Sequence, residues 1–199
     1  MMRLGYSSTV FVLGELTSRI LWTLLNVISE NWFQKNIDRI SRTFHRPVVG
    51  VHNRTASIVF DLIQCLIQRA LLYATQDVRE CYILVKNALL GDHEKKVILI
   101  LHSQGGIEGG MIIDWLLDEM PLDKLQKLEV YTFGNLANHF RNPYRGKDTR
   151  SPVIPHIEHY VNKKDFACRF GVLNSRDIIR RMRIGLRGRC LLIEREDNS

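Results

Sequence analysis

One stretch of the chain has residue types and spacing suited to covalent chemistry: Val97-Ile98-Leu99-Ile100-Leu101-His102-Ser103-Gln104-Gly105-Gly106. The apolar run Val97–Leu101 does not alternate with polar residues, so it predicts a central strand buried on both faces. An amphipathic helical pattern follows, from Gly106 to about Met120. A strand, a sharp turn bearing serine and then a helix is the layout that lifts a hydroxyl clear of the backbone for nucleophilic attack. The amide of Gln104, next in the chain, falls at a helix N-terminus, where unpaired N–H groups and the helix dipole favour an oxyanion. Gly105 and Gly106 remove Cβ atoms where the helix start must pass close to the strand. One departure stands out: the G-x-S-x-G form has a small residue two before the serine, and this chain has Leu101. His102, at the end of a regular strand, points away from Ser103 and reads as a packed or hydrogen-bonded histidine.

The elements around this turn follow from pattern. Thr9–Leu13 reads as a short buried strand ended by Gly14, and Leu16–Phe33 carries apolar residues at helical spacing. A second short helix is predicted over Asn36–Phe44, then a strand in Pro47–Asn53 with proline at its start. Thr55 or Ser57 caps a helix whose inward face is Ile58, Leu62, Cys65 and Leu66, and Thr75 caps another over Gln76–Leu90. After the serine helix come a polar break over Asp118–Gln126, a strand at Leu128–Phe133 and a loop over Leu136–Pro155. A strand at Ile157–Val161 ends in the turn Asn162–Asp165; a weak helix at Asp177–Met182 and a strand at Arg189–Glu194 follow.

Strands alternating with helices predict an α/β domain with a mainly parallel sheet and helices on both faces, spanning 1–199, its segment 1–46 divergent. Sites in such sheets lie at the carboxyl ends of the strands, which places Ser103, Asp165 and Gly14 on one edge. A backbone N–H near Gly14 is then a second oxyanion donor. Asp165 also fits an ordinary turn or helix cap. Glu108, Asp114 and Asp118 on the serine helix read as solvated charges.

The 199 residues, 45% hydrophobic and 25% charged, suit one globular domain with a sizeable core. The net charge of +7 owes much to Arg176, Arg180, Arg181, Arg183, Arg187 and Arg189. Without interleaved aromatics this cluster reads as a solvated face, and no nucleic-acid partner is expected. The four cysteines, Cys65, Cys81, Cys168 and Cys190, have no metal spacing and suggest reduced thiols in an intracellular, cytoplasmic protein. His156-x-x-His159 has no third ligand nearby, and no phosphate or dinucleotide fingerprint occurs, so no metal and no cofactor is expected. Glu15 and Arg19 interrupt the apolar run Val10–Ile28, which argues for an amphipathic helix over a membrane span.

His102-Ser103-Gln104-Gly105-Gly106, then Tyr131-Thr132-Phe133-Gly134-Asn135, then His159–Asp165 (HYVNKKD), in that order, resemble the α/β-hydrolase superfamily. The likeness is to class 3-type lipases and uncharacterised fungal lipase-like proteins, and it covers most of the chain from Pro47 onward. The resemblance implies Ser103 as nucleophile, Asp165 as the acid that orients a histidine, Gln104 as oxyanion donor with Leu13 or Gly14 beside it, and a small-molecule or lipid ester as substrate.

The expected order in that fold is Ser, Asp or Glu, His, yet all seven histidines precede Asp165. Three explanations compete: a chain that stops before its catalytic histidine, a non-catalytic relative that keeps the fold as a binding or scaffold protein, or a base supplied by His139, His156 or His159 from the loops. Leu16–Phe33 is in this light a lid-like element or a mis-joined segment. With the arginine cluster it also supports a third reading, weak membrane-surface contact.

Overall fold

The computed structural model describes residues 8–13, 30–52, 58–92, 94–137, 139–144, 151–162, 171 and 189–192. Six strands, β1 (Ser8–Leu13), β2 (Val48–His52), β3 (Val97–His102), β4 (Leu128–Phe133), β5 (His156–Val161) and β6 (Arg189–Leu192), form one sheet in the order β2-β1-β3-β4-β5-β6. Every neighbouring pair is parallel. The helices are α1 (Glu30–Phe44), α2 (Ile58–Leu71), α3 (Gln76–Leu90), α4 (Gly105–Glu119) and the single turn α5 (Leu122–Leu125). The protein is therefore of the mixed α/β class. The divergent N-terminal segment supplies an interior strand, since β1 pairs with β2 on one side and β3 on the other.

The strand order decides where a site forms. From β1 the chain goes outward to β2, then crosses back over β1 to β3 and continues to β4, β5 and β6. Right-handed crossovers in opposite directions put α1 on one face and α2, α3 and α4 on the other. Accordingly α1 packs along β2, whereas α2 and α3 both pack on α4. The strand order thus reverses between β1 and β3, and in parallel sheets ligand sites form at the carboxyl edge beside such a reversal. Ser103 follows β3 directly on that edge.

The core lies between the sheet and the α2–α4 layer. Val97, Leu99 and Leu101 of β3, Leu128 and Val130 of β4, and Val85, Leu89, Ile112, Ile113 and Leu116 of the helices are all buried. β3 itself alternates: Ile98, Ile100 and His102, on its other face, are only half-buried. This corrects the expectation of burial on both faces. An unbroken apolar run cannot tell one covered face from two, because apolar side chains are tolerated on a half-open surface. Beside these residues the same sheet face carries Phe133 stacked on Tyr160 at 4.8 Å and Tyr131 against His156 at 5.3 Å.

Three further expectations change. Phe33–Asn36 does not separate two helices, because α1 runs through it, helped by Gln34 Nε2 donating to Asp38 Oδ1 one turn on at 2.9 Å. Leu66 faces outward, 52% exposed, as do Ile63, Ile67 and Leu71, while Cys65 and Gln68 point into the core. A helix apolar nearly all round has no rotational phase that its pattern can fix. Glu108 is 1% exposed rather than solvated, because α4 is clasped by α2, α3 and the sheet, and every residue from Gly105 to Ile113 is buried. Asp114 is partly buried; Asp118 is exposed as expected. No helix of the described residues is long and apolar enough to cross a membrane. The segment 14–29, the weak helix at Asp177–Met182 and the arginines from Arg176 to Arg187 lie outside the described residues.

Candidate active site

The end of β3 makes the turn that the sequence predicts. Ser103 has φ +55°, the left-handed region, which costs a non-glycine residue about 1–2 kcal/mol. Hydrogen bonds on both sides hold it there. Its N–H donates to Phe133 O at 3.0 Å, extending the β3–β4 ladder, and its carbonyl accepts from Gly106 N at 3.0 Å and Leu136 N at 3.2 Å. Strain kept in place by surrounding structure marks a position where geometry has been favoured over stability. The Ser103 side chain is fully buried, and its Oγ has no hydrogen-bond partner among the described residues.

A stability test follows. Ser103→Gly removes the backbone strain and a buried, unpaired hydroxyl that costs about 1–3 kcal/mol. Against this stands the greater unfolded-chain entropy of glycine, about 0.5–1 kcal/mol. The net gain is expected at about 1–4 kcal/mol, read as a rise in the urea midpoint, with Ser103→Ala gaining only the hydroxyl's share. A midpoint at or below that of the parent would mean that Ser103 is not strained.

Gly106 and Gly109 let the helix descend onto this turn. A Cβ on Gly106 would collide with the side-chain amide of Asn135, and one on Gly109 with the methyls of Leu101. The departure from a small residue two before the serine is thereby explained: the bulk stands on the strand, and the space for it is cut from the helix. Gln104, the turn's second residue, is helical at φ −58° and ψ −33°, and no backbone carbonyl of the described residues takes its N–H. That amide is the donor expected for an oxyanion.

Beside the turn, on the α4 side of the sheet, is a buried polar group. Leu101, Thr132 and His159 share one level across β3, β4 and β5. Thr132 Oγ1 and His159 Nδ1 are 2.8 Å apart, Asn135 Nδ2 donates to Thr132 Oγ1 at 3.3 Å, and Asn135 Oδ1 accepts from Ala137 N at 2.7 Å. The ring of Phe140 meets that of His159 edge-on at 5.1 Å. This group fixes the start of the loop that follows β4. Sequence reasoning quoted Thr132 and Asn135 only within the motif Tyr131–Asn135 and gave neither a role, since a buried threonine within a strand leaves no signal by itself.

The proposed loop histidines are placed differently from the expectation. His156 and His159 are strand residues of β5, an odd number of positions apart, and so face opposite sides of the sheet. His156 sits at the amino end of β5, away from the serine edge, 3.2 Å from Glu158 Oε1. His159 is packed in the polar group just described. His139 does lie in the loop, but its Nε2 is 3.0 Å from Asp114 Oδ2, in the second half of α4, with Arg141 Nε 3.8 Å from the other carboxylate oxygen. None of the three hydrogen-bonds to Ser103. His102, by its place in β3, shares the face of Ile98 and Ile100, away from α4.

Electrostatics beside α4 are set by burial. Burial pushes the Cys81 thiol well above its usual range, and the nearby carboxylates of Glu108 and then Asp77 push it further, which makes it an inert core thiol. Cys65 and Cys81 are both buried. On the open face of the sheet, burial and then Glu129 push Tyr131 up to about 12. Asp165 and Gly14 lie outside the described residues. No protein-family profile and no curated protein matches the chain.

Proposed function

We propose that this chain has an α/β-hydrolase-type fold and is a serine hydrolase of the lipase or esterase type, transferring the acyl group of a small-molecule or lipid ester through Ser103. The observation that carries this reading is the left-handed serine between a parallel strand and a buried helix, at the carboxyl edge of the sheet beside the point where the strand order reverses. In that reading Ser103 Oγ attacks the ester carbonyl and its proton passes to a base. The carbonyl oxygen, now negative, is held by the Gln104 N–H at the head of α4. The alcohol leaves protonated, and water then hydrolyses the acyl-serine. Asp165 is assigned the orientation of the base, and an amide near Gly14 the second oxyanion contact.

A second reading is favoured by the full burial of Ser103 and the absence of a histidine bonded to its Oγ among the described residues. A serine at its free pKa is a weak nucleophile, and the protein would then be a non-catalytic binding or scaffold relative. Fluorophosphonate labelling of the purified chain separates the two. Covalent adduct on Ser103, lost in Ser103→Ala and after denaturation, is the expected result. A folded chain that forms no adduct would overturn catalysis and leave the binding reading.

A further inference from the structure

Gln68 and Gln104 are buried, at 0% and 1% exposure, yet they lie on different elements, 36 residues apart. Gln104 Nε2 donates to Gln68 Oε1 at 2.8 Å, and Gln68 Nε2 donates in turn to Thr75 Oγ1 at 3.4 Å. A buried amide is costly unless its groups are paired, and leucine would fill the same volume without that requirement. Thr75, the N-cap of α3, makes no side-chain cap to its own helix. The three side chains form one line from the serine turn across α2 to the head of α3, fully buried at Gln104 and Gln68 and part-buried at Thr75.

What that line controls follows from the peptide between Ser103 and Gln104. Its two polar atoms point in opposite directions. The Ser103 carbonyl is fixed by Gly106 N and Leu136 N. The Gln104 N–H points the other way, to where an oxyanion would form. Gly105 and Gly106 have no side chains with which to brace the turn. On the α2 side the Gln104 side chain is therefore the brace, and Gln68 holds it.

We propose that Gln68 is a positioning residue: by gripping the Gln104 side chain it holds the α2 side of the turn and, together with the bonds to the Ser103 carbonyl, sets the direction of the Gln104 N–H. The functional half of this inference rests on the acyl-transfer reading above. Gln68 touches no reacting atom and acts only through Gln104. Misplacing an oxyanion donor lowers the rate of the bond-forming step with little effect on the binding that precedes it.

The test uses the full chain with Gln68→Leu, which removes the acceptor at similar volume, and Gln68→Glu, which keeps an oxygen for Gln104 Nε2. Gln104→Met, which removes the donor but leaves the backbone N–H, serves if Gln68→Leu fails to fold. In Gln68→Leu the maximal rate of fluorophosphonate labelling is expected to fall about 100-fold, with the half-saturating concentration changed less than about threefold. Gln68→Glu is expected to restore the rate to within about threefold of the parent. Nitrogen-15 spectra give a readout independent of reactivity: the Gln104 side-chain amide should lose exchange protection in Gln68→Leu and keep it in Gln68→Glu. An unchanged labelling rate in folded Gln68→Leu would overturn the proposal, and so would a loss that Gln68→Glu does not rescue. If the parent itself shows no Ser103-dependent labelling, the acyl-transfer reading fails, and the spectra decide on Gln68 alone: retained protection in Gln68→Leu overturns the grip, lost protection supports it.

Discussion

Gly106→Ala is expected to cost about 2–6 kcal/mol of folding stability, the sum of overpacking at about 1–3 kcal/mol and the disturbance of buried hydrogen bonds at about 1–3 kcal/mol. The added methyl would overlap Oδ1 and Cγ of Asn135 and stand 3.3 Å from its Cα. That amide has nowhere to retreat, because Oδ1 accepts from Ala137 N at 2.7 Å while Nδ2 reaches Thr132 Oγ1 at 3.3 Å. Either α4 rises from the sheet or the Asn135 bonds break. Gly91→Ala is the matched control. Its Cβ would meet the carboxylate end of Glu94, a flexible chain end near the surface, so a change within about 0.5 kcal/mol is expected. Urea unfolding of both variants is the measurement. A Gly106→Ala midpoint equal to that of Gly91→Ala would mean that the serine turn does not depend on close approach of α4 to Asn135. Fluorophosphonate reactivity of any folded Gly106→Ala fraction should fall too, since the displaced helix carries the Gln104 amide with it.

Much of this arrangement was legible in the chain, because it rests on local pattern. Leu128–Phe133 and Gln76–Leu90 coincide with β4 and α3, each a run of clear type bounded by turn residues. The serine turn was legible because a branched apolar run, a serine and two glycines leave few other conformations. What escaped was phase and partnership. The amphipathic reading of α2 put Leu66 inward, yet the helix turns Gln68 to the core, where its partner is 36 residues away at Gln104. No local signal marks such a pair, since a glutamine on a helix is ordinarily solvated. Glu108 was misread for the same reason: its burial comes from α2 and α3 closing on α4, a property of topology rather than of spacing. The histidines were ambiguous because the hydroxyl's chemical need for a base says nothing of where strands fall, and β5 carries two of them.

Leu101 and Gly109 form the pair in which strand and helix exchange volume, and a double-mutant cycle exposes it. Leu101 is fully buried, so Leu101→Ala alone should cost about 2–5 kcal/mol through lost burial and the cavity left behind. Gly109→Ala alone would drive its new Cβ into Cδ1 of Leu101, with Cδ2 and Cγ also in close contact, and should cost about 1–3 kcal/mol despite the better helix propensity of alanine. With both substitutions the clash disappears, because the methyl at 109 enters the space the leucine has left. The helix propensity gain is then realised. The double variant should therefore be more stable than the sum of the two losses predicts, by about 1–2 kcal/mol, within the range of coupling between residues in contact. Strict additivity in urea unfolding would sink the idea that Gly109 exists to receive Leu101. The consequence for the site is geometric. A small residue two before the serine lets a helix approach from one side of the contact; a leucine there facing a glycine reaches the same depth from the other side. On the acyl-transfer reading, a double variant that recovers stability should recover fluorophosphonate reactivity with it, whereas Leu101→Ala alone should lose both.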